Sequence, residues 1–161
     1  MMWVIRAGQN SGFYDKYLKE SRVYIPWDGY RFDLSSVKER ADFRAVVEKE
    51  KKTDNRTSVS NWAGQLYTFT SEMQVGDYVL IPSRGSRSYC LAKIAGEYRF
   101  DESEPDKLYH SRPIEILLKD IPRDIFSQSV IYSLGAFRTI FKAKHEDEIM
   151  NTINKKKEAH R

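Results

Sequence analysis

The chain has 161 residues, 40% hydrophobic and 31% charged, which suits one packed domain and excludes a disordered segment. The net charge of +4 permits binding to phosphate backbones without demanding it. No apolar run approaches the roughly 18 residues of a membrane span, no basic leader precedes Trp3-Val4-Ile5, and the single cysteine, Cys90, excludes an internal disulfide and a cysteine metal site, so a cytoplasmic protein is expected.

Met2 to Arg6 reads as a first strand, stopped by Ala7-Gly8. Tyr14 to Glu20 suits a short helix, and Arg22 to Ile25 a second strand ended by Pro26. Trp27-Asp28-Gly29-Tyr30 is a loop. Ser35 or Ser36 can cap a helix to about Lys51, with Glu39 completing a capping box and Val37, Ala41, Ala45 and Val46 as its apolar face. Thr53-Asp54-Asn55 breaks it. Thr57 or Ser58 can cap a further helix to about Glu72, on which Trp62, Leu66 and Phe69 share one face.

Strands dominate the second half. In Met73-Gln74-Val75-Gly76-Asp77, Gly76 supplies a turn with φ > 0 and Asp77 can bond nearby backbone. Tyr78 to Pro82 follows as a buried strand, Ser83 to Arg87 as a hairpin loop, and Tyr89 to Ala95 as the returning strand. Gly96 marks a bend before Glu97 to Phe100, and Asp101 to Asp106 is an acidic loop. Pro113 to Lys119 reads as a strand closed by Asp120-Ile121-Pro122, Arg123 to Leu134 as a short helix or two turns, and Phe137 to Lys142 as a last strand. A charged helix from His145 onward turns Ile149 and Ile153 inward, with Glu146, Asp147 and Glu148 favoured at its start by the helix dipole. About six strands and four helices without sustained alternation predict an α+β pseudo-barrel rather than a doubly wound sheet.

Three segments carry a resemblance. Trp27-Asp28-Gly29-Tyr30-Arg31 looks like the "Trp-Asp-Gly-x-Arg" loop of EVE domains. Asn61-Trp62-Ala63, followed by Met73 to Val79, looks like the helix and strand that come next in that family. The first strand, the Tyr89 to Phe100 region and Lys119-Asp120-Ile121-Pro122 resemble the YTH layout. Together these cover most of residues 2–126 and place the chain beside the PUA-like (EVE/YTH-type) readers. Including Tyr132-Ser133-Leu134-Gly135-Ala136-Phe137, the chain also resembles the N-terminal region of predicted Mrr-type restriction endonucleases. The resemblance implies a β pseudo-barrel with flanking helices over residues 1–144. It implies recognition of a modified base, with cleavage by a nuclease domain fused or separate. Residues 145–161 would then lead toward a linker near Lys155-Lys156-Lys157.

The chemistry of such a reader makes demands that this chain can meet. A base taken out of a duplex needs a flat apolar face, worth roughly 1–3 kcal/mol in stacking. Trp27 is the expected wall, and Tyr109 or Phe100 the further aromatic. Asp28, beside Gly29, can accept from an exocyclic amine, and Asn61 can donate or accept; Trp62 flanks them. A methyl group adds on the order of 1 kcal/mol by burial, so selectivity depends on pocket shape. Phosphate contacts fall to Arg84 and Arg87 at the hairpin tip and to Arg6, Arg31 and Arg99 near strand ends. Plainer roles compete: Trp27 and Trp62 as core plugs, Asp28-Gly29 as a turn, Asn61 as a loop tie, and the arginines as solvated charges. RNA reading and a protein-interaction module are the rival functions.

Enzyme chemistry finds no pattern. His110, His145 and His160 stand apart, without a Cys or carboxylate at catalytic or metal spacing. Glu115 lacks the following acid-x-Lys of a nuclease, and Glu50-Lys51-Lys52, which has it, lies in a charged helix tail. No phosphate-binding glycine loop is present. The chain itself is expected to be non-catalytic, with no cofactor and no metal.

Overall fold

Burial on both faces marks the first strand as an interior strand. All four residues of β1 (Met2–Ile5) are buried, and they alternate between two cores. The computed structural model describes residues 1–52, 55–136 and 138–159. After β1 come α1 (Tyr14–Glu20), β2 (Arg22–Tyr24), α2 (Arg40–Lys51) and α3 (Arg56–Tyr67), the last running into a π turn at Thr68–Glu72. Then follow β3 (Tyr78–Ser83), β4 (Ser88–Ile94), β5 (Arg99–Phe100) and β6 (His110–Pro122). Last are α4 (Gln128–Leu134), β7 (Ile140–Lys142) and α5 (Glu146–Ala159).

The fold is α+β. Six strands run in the order β2-β6-β4-β3-β1-β7 as a curled half-barrel, and β5 pairs with β6 beside that path. β1 lies parallel to β3, and the crossover between them carries α1, β2, α2 and α3. The other pairings are antiparallel.

Alternation sorts the side chains. Trp3, Ile5, Val79, Ile81, Cys90 and Ala92 face a core closed by Tyr17, Phe43, Val47 and Leu66. Met2, Val4, Leu80, Tyr89 and Leu91 face a second core closed by Val130, Leu134, Ile149 and Ile153. The inward turn of Ile149 and Ile153 follows the sequence pattern, and α5 is thereby packed onto the sheet. Among the described residues no helix is long and apolar enough to cross a membrane.

The turn before β3 forms as its residues suggest. Gly76 has φ +95°, and the Asp77 carboxylate accepts from the Gln74 amide and the Trp3 indole, each at 2.9 Å. Other expectations need correction. The helix expected from Ser36 begins at Arg40, and the Ser36–Glu39 capping box does not form. Asp33 instead takes the Ser35 amide at 2.8 Å in a local turn, which uses the residues that would have started the helix. Ala41 and Ala45 are exposed, because the larger Phe43 and Val47 take the buried face. Asn55 caps α3, two residues before the expected Thr57. β6 has thirteen residues where seven were expected. The last strand is limited to Ile140–Lys142; Phe137, Thr53-Asp54 and His160 lie outside the described residues.

β6 carries two buried polar side chains that hold the layers together. The Arg112 guanidinium donates to Gly96 O at 3.0 and 3.1 Å, Phe69 O at 3.3 Å and Met73 O at 2.6 Å. Burial holds its pKa below the ordinary arginine value, partly opposed by the charges of Glu97 and Asp77. His110 contacts Tyr98 Oη through Nδ1 and Tyr30 O through Nε2, each at 2.6 Å, and Tyr98 Oη also accepts from the Leu34 amide at 3.1 Å. Tyr98 therefore donates to Nδ1, and the imidazole carries its proton on Nε2 and donates to Tyr30 O.

Two stability predictions follow from these contacts. Arg112→Leu strands carbonyls of the π turn, each worth about 1–3 kcal/mol, so a loss on the order of 3 kcal/mol is expected in urea unfolding. Burial lowers the His110 pKa from 6.5 to about 4. The unfolded chain therefore binds the extra proton first: the contribution is complete above pH 6.5 and is lost as pH falls toward 4, on the order of 2 kcal/mol by pH 5. Denaturant titrations at pH 7.5 and pH 5 should show this slope in the wild type and a flatter one in His110→Gln; equal slopes would assign the titration to other groups.

Candidate nucleic-acid interface

Two clefts open beside the C-terminal end of β1. The first, about 380 Å³, is lined by Arg6, Arg84, Arg87 and Arg123, with no carboxylate in its wall. Tyr89, Ile131 and Leu134 supply its apolar side. The fold brings these arginines from three places. Arg6 directly follows β1, and lines the cleft with Tyr89. Arg84 and Arg87 sit on the β3–β4 turn, and Arg123 follows β6, its amide donating to Arg87 O at 2.9 Å.

Local bonds set the cleft before any ligand arrives. The Arg84 amide donates to Ser11 Oγ at 2.9 Å, and Ser11 Oγ donates to Pro82 O at 3.2 Å. Arg84 Nη1 donates to Asn10 Oδ1 at 2.7 Å, which restrains the guanidinium. Arg6 is half-buried and makes no ion pair with a described residue. Burial and then the Arg84 charge lower its pKa, while Tyr89 opposes them. Arg84, Arg87 and Arg123 are exposed, so Arg6 alone is partly withdrawn from water, and an anion beside it would oppose that desolvation.

The second cleft, about 790 Å³, lies between α3 and β7. Its wall includes Asn61, Arg56, Arg138 and Lys142. At its back the Gln65 side-chain oxygen accepts from the Thr139 and Ile140 amides, at 3.0 and 2.9 Å. This satisfies donors at the open edge of the sheet. Gln65 Nε2 donates to Asn61 Oδ1 at 3.4 Å, so the Asn61 amide donors are left for the cleft.

Thr139 joins the two clefts. Its carbonyl accepts from the Arg6 amide at 2.8 Å, and its hydroxyl accepts from the Trp27 indole at 3.1 Å. Trp27 is half-buried, with Tyr30 at 6.1 Å between ring centroids. Lys51 lies over the rings of both Tyr30 and Trp62, at 5.6 and 4.9 Å. Gly29 has φ +89°, and a Cβ there would collide with the Glu50 carboxylate, so the loop that presents Trp27 requires glycine. Asp28 is exposed beside it.

The expected residues thus fall into separate groups. Arg6, Arg84 and Arg87 share one cleft. Trp27, Gly29 and Trp62 surround Tyr30 and the end of α2. Asn61 lines the other cleft. Tyr109 lies apart, 7% exposed, with Phe100 at 6.1 Å and the Arg31 guanidinium at 5.9 Å. Arg31 reaches Glu102 at 3.4 Å, and Arg99 reaches Asp101 at 3.6 Å. Neither Tyr109 nor Trp27 lines either cleft, and Trp27 packs against the core beside them. Sequence reasoning missed Arg123, Arg138, Arg56 and Lys142, which are single charges without periodic pattern. It also missed Tyr132, 88% exposed beside cleft residues Ile131, Leu134 and Gly135. An isolated aromatic on the polar side of a short helix was the available signal.

Catalytic groups do not converge here. His110 is held neutral in its buried network, and among the described residues no three His, Cys, Asp or Glu side chains are grouped to hold a metal. Burial pushes the Cys90 thiol up to about 11, away from the reactive thiolate.

A family model described as a domain of unknown function (DUF8426) matches residues 3–142, and the chain belongs to that family. No curated protein and no solved structure matches it.

Gln65 is the tie on which this arrangement rests. Gln65→Leu leaves the Thr139 and Ile140 amides without an acceptor, at about 1–3 kcal/mol for a buried donor. The expected outcome is a lowered melting temperature and faster hydrogen exchange at Ile140. Unchanged exchange there would remove the edge-capping role.

Proposed function

The chain belongs to the DUF8426 family, and we propose that it is a PUA-like (EVE/YTH-type) reader that binds DNA carrying a modified, methylated base. The observation that carries this reading is the arginine cleft: four guanidinium groups and no carboxylate. Such a wall is complementary to phosphate oxygens, which dominate nucleic-acid affinity. Trp27, at the Thr139 junction next to that cleft, supplies the stacking face. Asp28 at the same loop supplies an acceptor for a base edge.

In this reading the domain is non-catalytic. It acts in the cytoplasm as the specificity module of a modification-dependent restriction system, and a fused or separate nuclease domain makes the cut. The order of the Trp27-Asp28-Gly29, Asn61-Trp62-Ala63 and Val75-Gly76-Asp77 motifs supports the assignment.

A fluorescence titration tests it. Labelled duplexes of one sequence carry cytosine, 5-methylcytosine, 5-hydroxymethylcytosine or N6-methyladenine, with matching RNA beside them. One modified duplex should bind more tightly than its unmodified parent, and Trp27→Ala should remove that preference. Arg84→Gln with Arg87→Gln should weaken all duplexes alike. Tighter binding to RNA would transfer the reading to RNA, where the 2′-hydroxyl adds contacts. Absence of binding to every probe would leave a protein-interaction module.

A further inference from the structure

We propose that the cleft between α3 and β7 is a second phosphate-binding tract, so that a nucleic-acid backbone is gripped on both sides of Trp27. The inference rests on the nucleic-acid reading above and assigns a site to residues outside the arginine cleft. Arg56, Arg138 and Lys142 in this wall are exposed and make no ion pair with a described residue. Arg40, also in the wall, rests over the Tyr67 ring at 4.6 Å. Against these cations stands one carboxylate, Glu72, which accepts from the Thr68 hydroxyl at 2.8 Å. Asn61, whose oxygen accepts from Gln65 at 3.4 Å, adds its two amide donors. The wall therefore carries four cations against one carboxylate, an excess of positive charge that complements a phosphodiester chain.

Continuity with the first cleft gives the track its direction. Arg138 lines the second cleft, while the neighbouring Thr139 is bonded to the backbone of Arg6, which lines the first. The Trp27 indole is bonded to the same threonine. A strand crossing this segment meets cations on each side and the tryptophan between them. A peptide adding to the β7 edge is disfavoured, because the Thr139 and Ile140 amides that such a strand would use already donate to Gln65.

Salt-dependent anisotropy with the full chain and a labelled duplex of about 20 base pairs, long enough to span two sites, tests the tract. The variant is Arg56→Gln with Arg138→Gln and Lys142→Gln; Arg84→Gln with Arg87→Gln serves as the first-cleft control. Binding by the triple variant should weaken at least ~10-fold, and the slope of log Kd against log salt should fall by about 2–3, near 0.9 per lost phosphate contact. The preference among modified duplexes should persist. Lysine at positions 56 and 138, with Lys142 retained, should restore the affinity, which separates charge from folding. A triple variant within about twofold of the wild type and with its slope intact would overturn the second tract. If the first-cleft control still weakened binding, the reader function would stand alone. Failure of the lysine variant to restore affinity would also overturn the tract. A wild-type chain that binds no duplex would remove both readings.

Discussion

A buried guanidinium on β6 sets the relation between the sheet and the helices on one of its faces. Arg112 is 2% exposed and is bonded to carbonyls from the π turn after α3 and from the bend after β4. A charge taken out of water carries a large cost unless it is hydrogen-bonded, and here four bonds to backbone carbonyls offset that cost. The turn that ends α3, the bend at Gly96 and the strand between them are therefore locked in one geometry. Two residues earlier on the same strand, His110 ties Tyr98 and the Tyr30–Leu34 loop to the sheet. β6 thus positions both the helix that carries Asn61 and Gln65 and the loop that carries Trp27.

From that frame the functional surface follows by topology. β1 lies between β3 and β7, and its last residues meet the start of β7, where Gln65 from α3 takes the Thr139 and Ile140 amides. Satisfying those two amides blunts the edge, and a polar, cationic wall stands beside it. On the other face, Arg6 emerges between Tyr89 and α4, and the β3–β4 turn carries Arg84 and Arg87 to meet it. The cores give no room for these charges, so they collect where the sheet ends.

Much of this framework was readable in advance. The Gly76-Asp77 turn, the β3–β4 hairpin, α1 and the inward Ile149 and Ile153 all announced themselves through turn chemistry or a repeating apolar position. The start of α2 did not, because Ser35 and Asp33 offered two local uses of the same residues and the turn prevailed over the capping box. Size decided its buried face: Phe43 and Val47 displaced Ala41 and Ala45, a competition settled by the volume available against Tyr67 and the core. The candidate site was legible in part. Arg6, Arg84 and Arg87 were visible as charges at strand ends, but Arg123 and Arg138 looked the same as any other surface arginine.

The division has a physical basis. Periodicity, capping and turn preference act over a few residues, so the linear order of amino acids alone determined the main elements, the mixed α+β class and the apolar segments that form the cores. Pairing of β1 with β3 and β7, the burial of Arg112 and the convergence of four arginines involve contacts between distant segments, up to 139 positions apart in the pairing of Trp3 with Lys142. Their energies depend on desolvation and on which charges end up neighbours, and those quantities exist only once the chain has closed on itself. Tertiary structure therefore decided which cations face a common cleft, that Tyr109 packs with Phe100 and Arg31, and that a glutamine from α3 takes two amides at the start of the last strand.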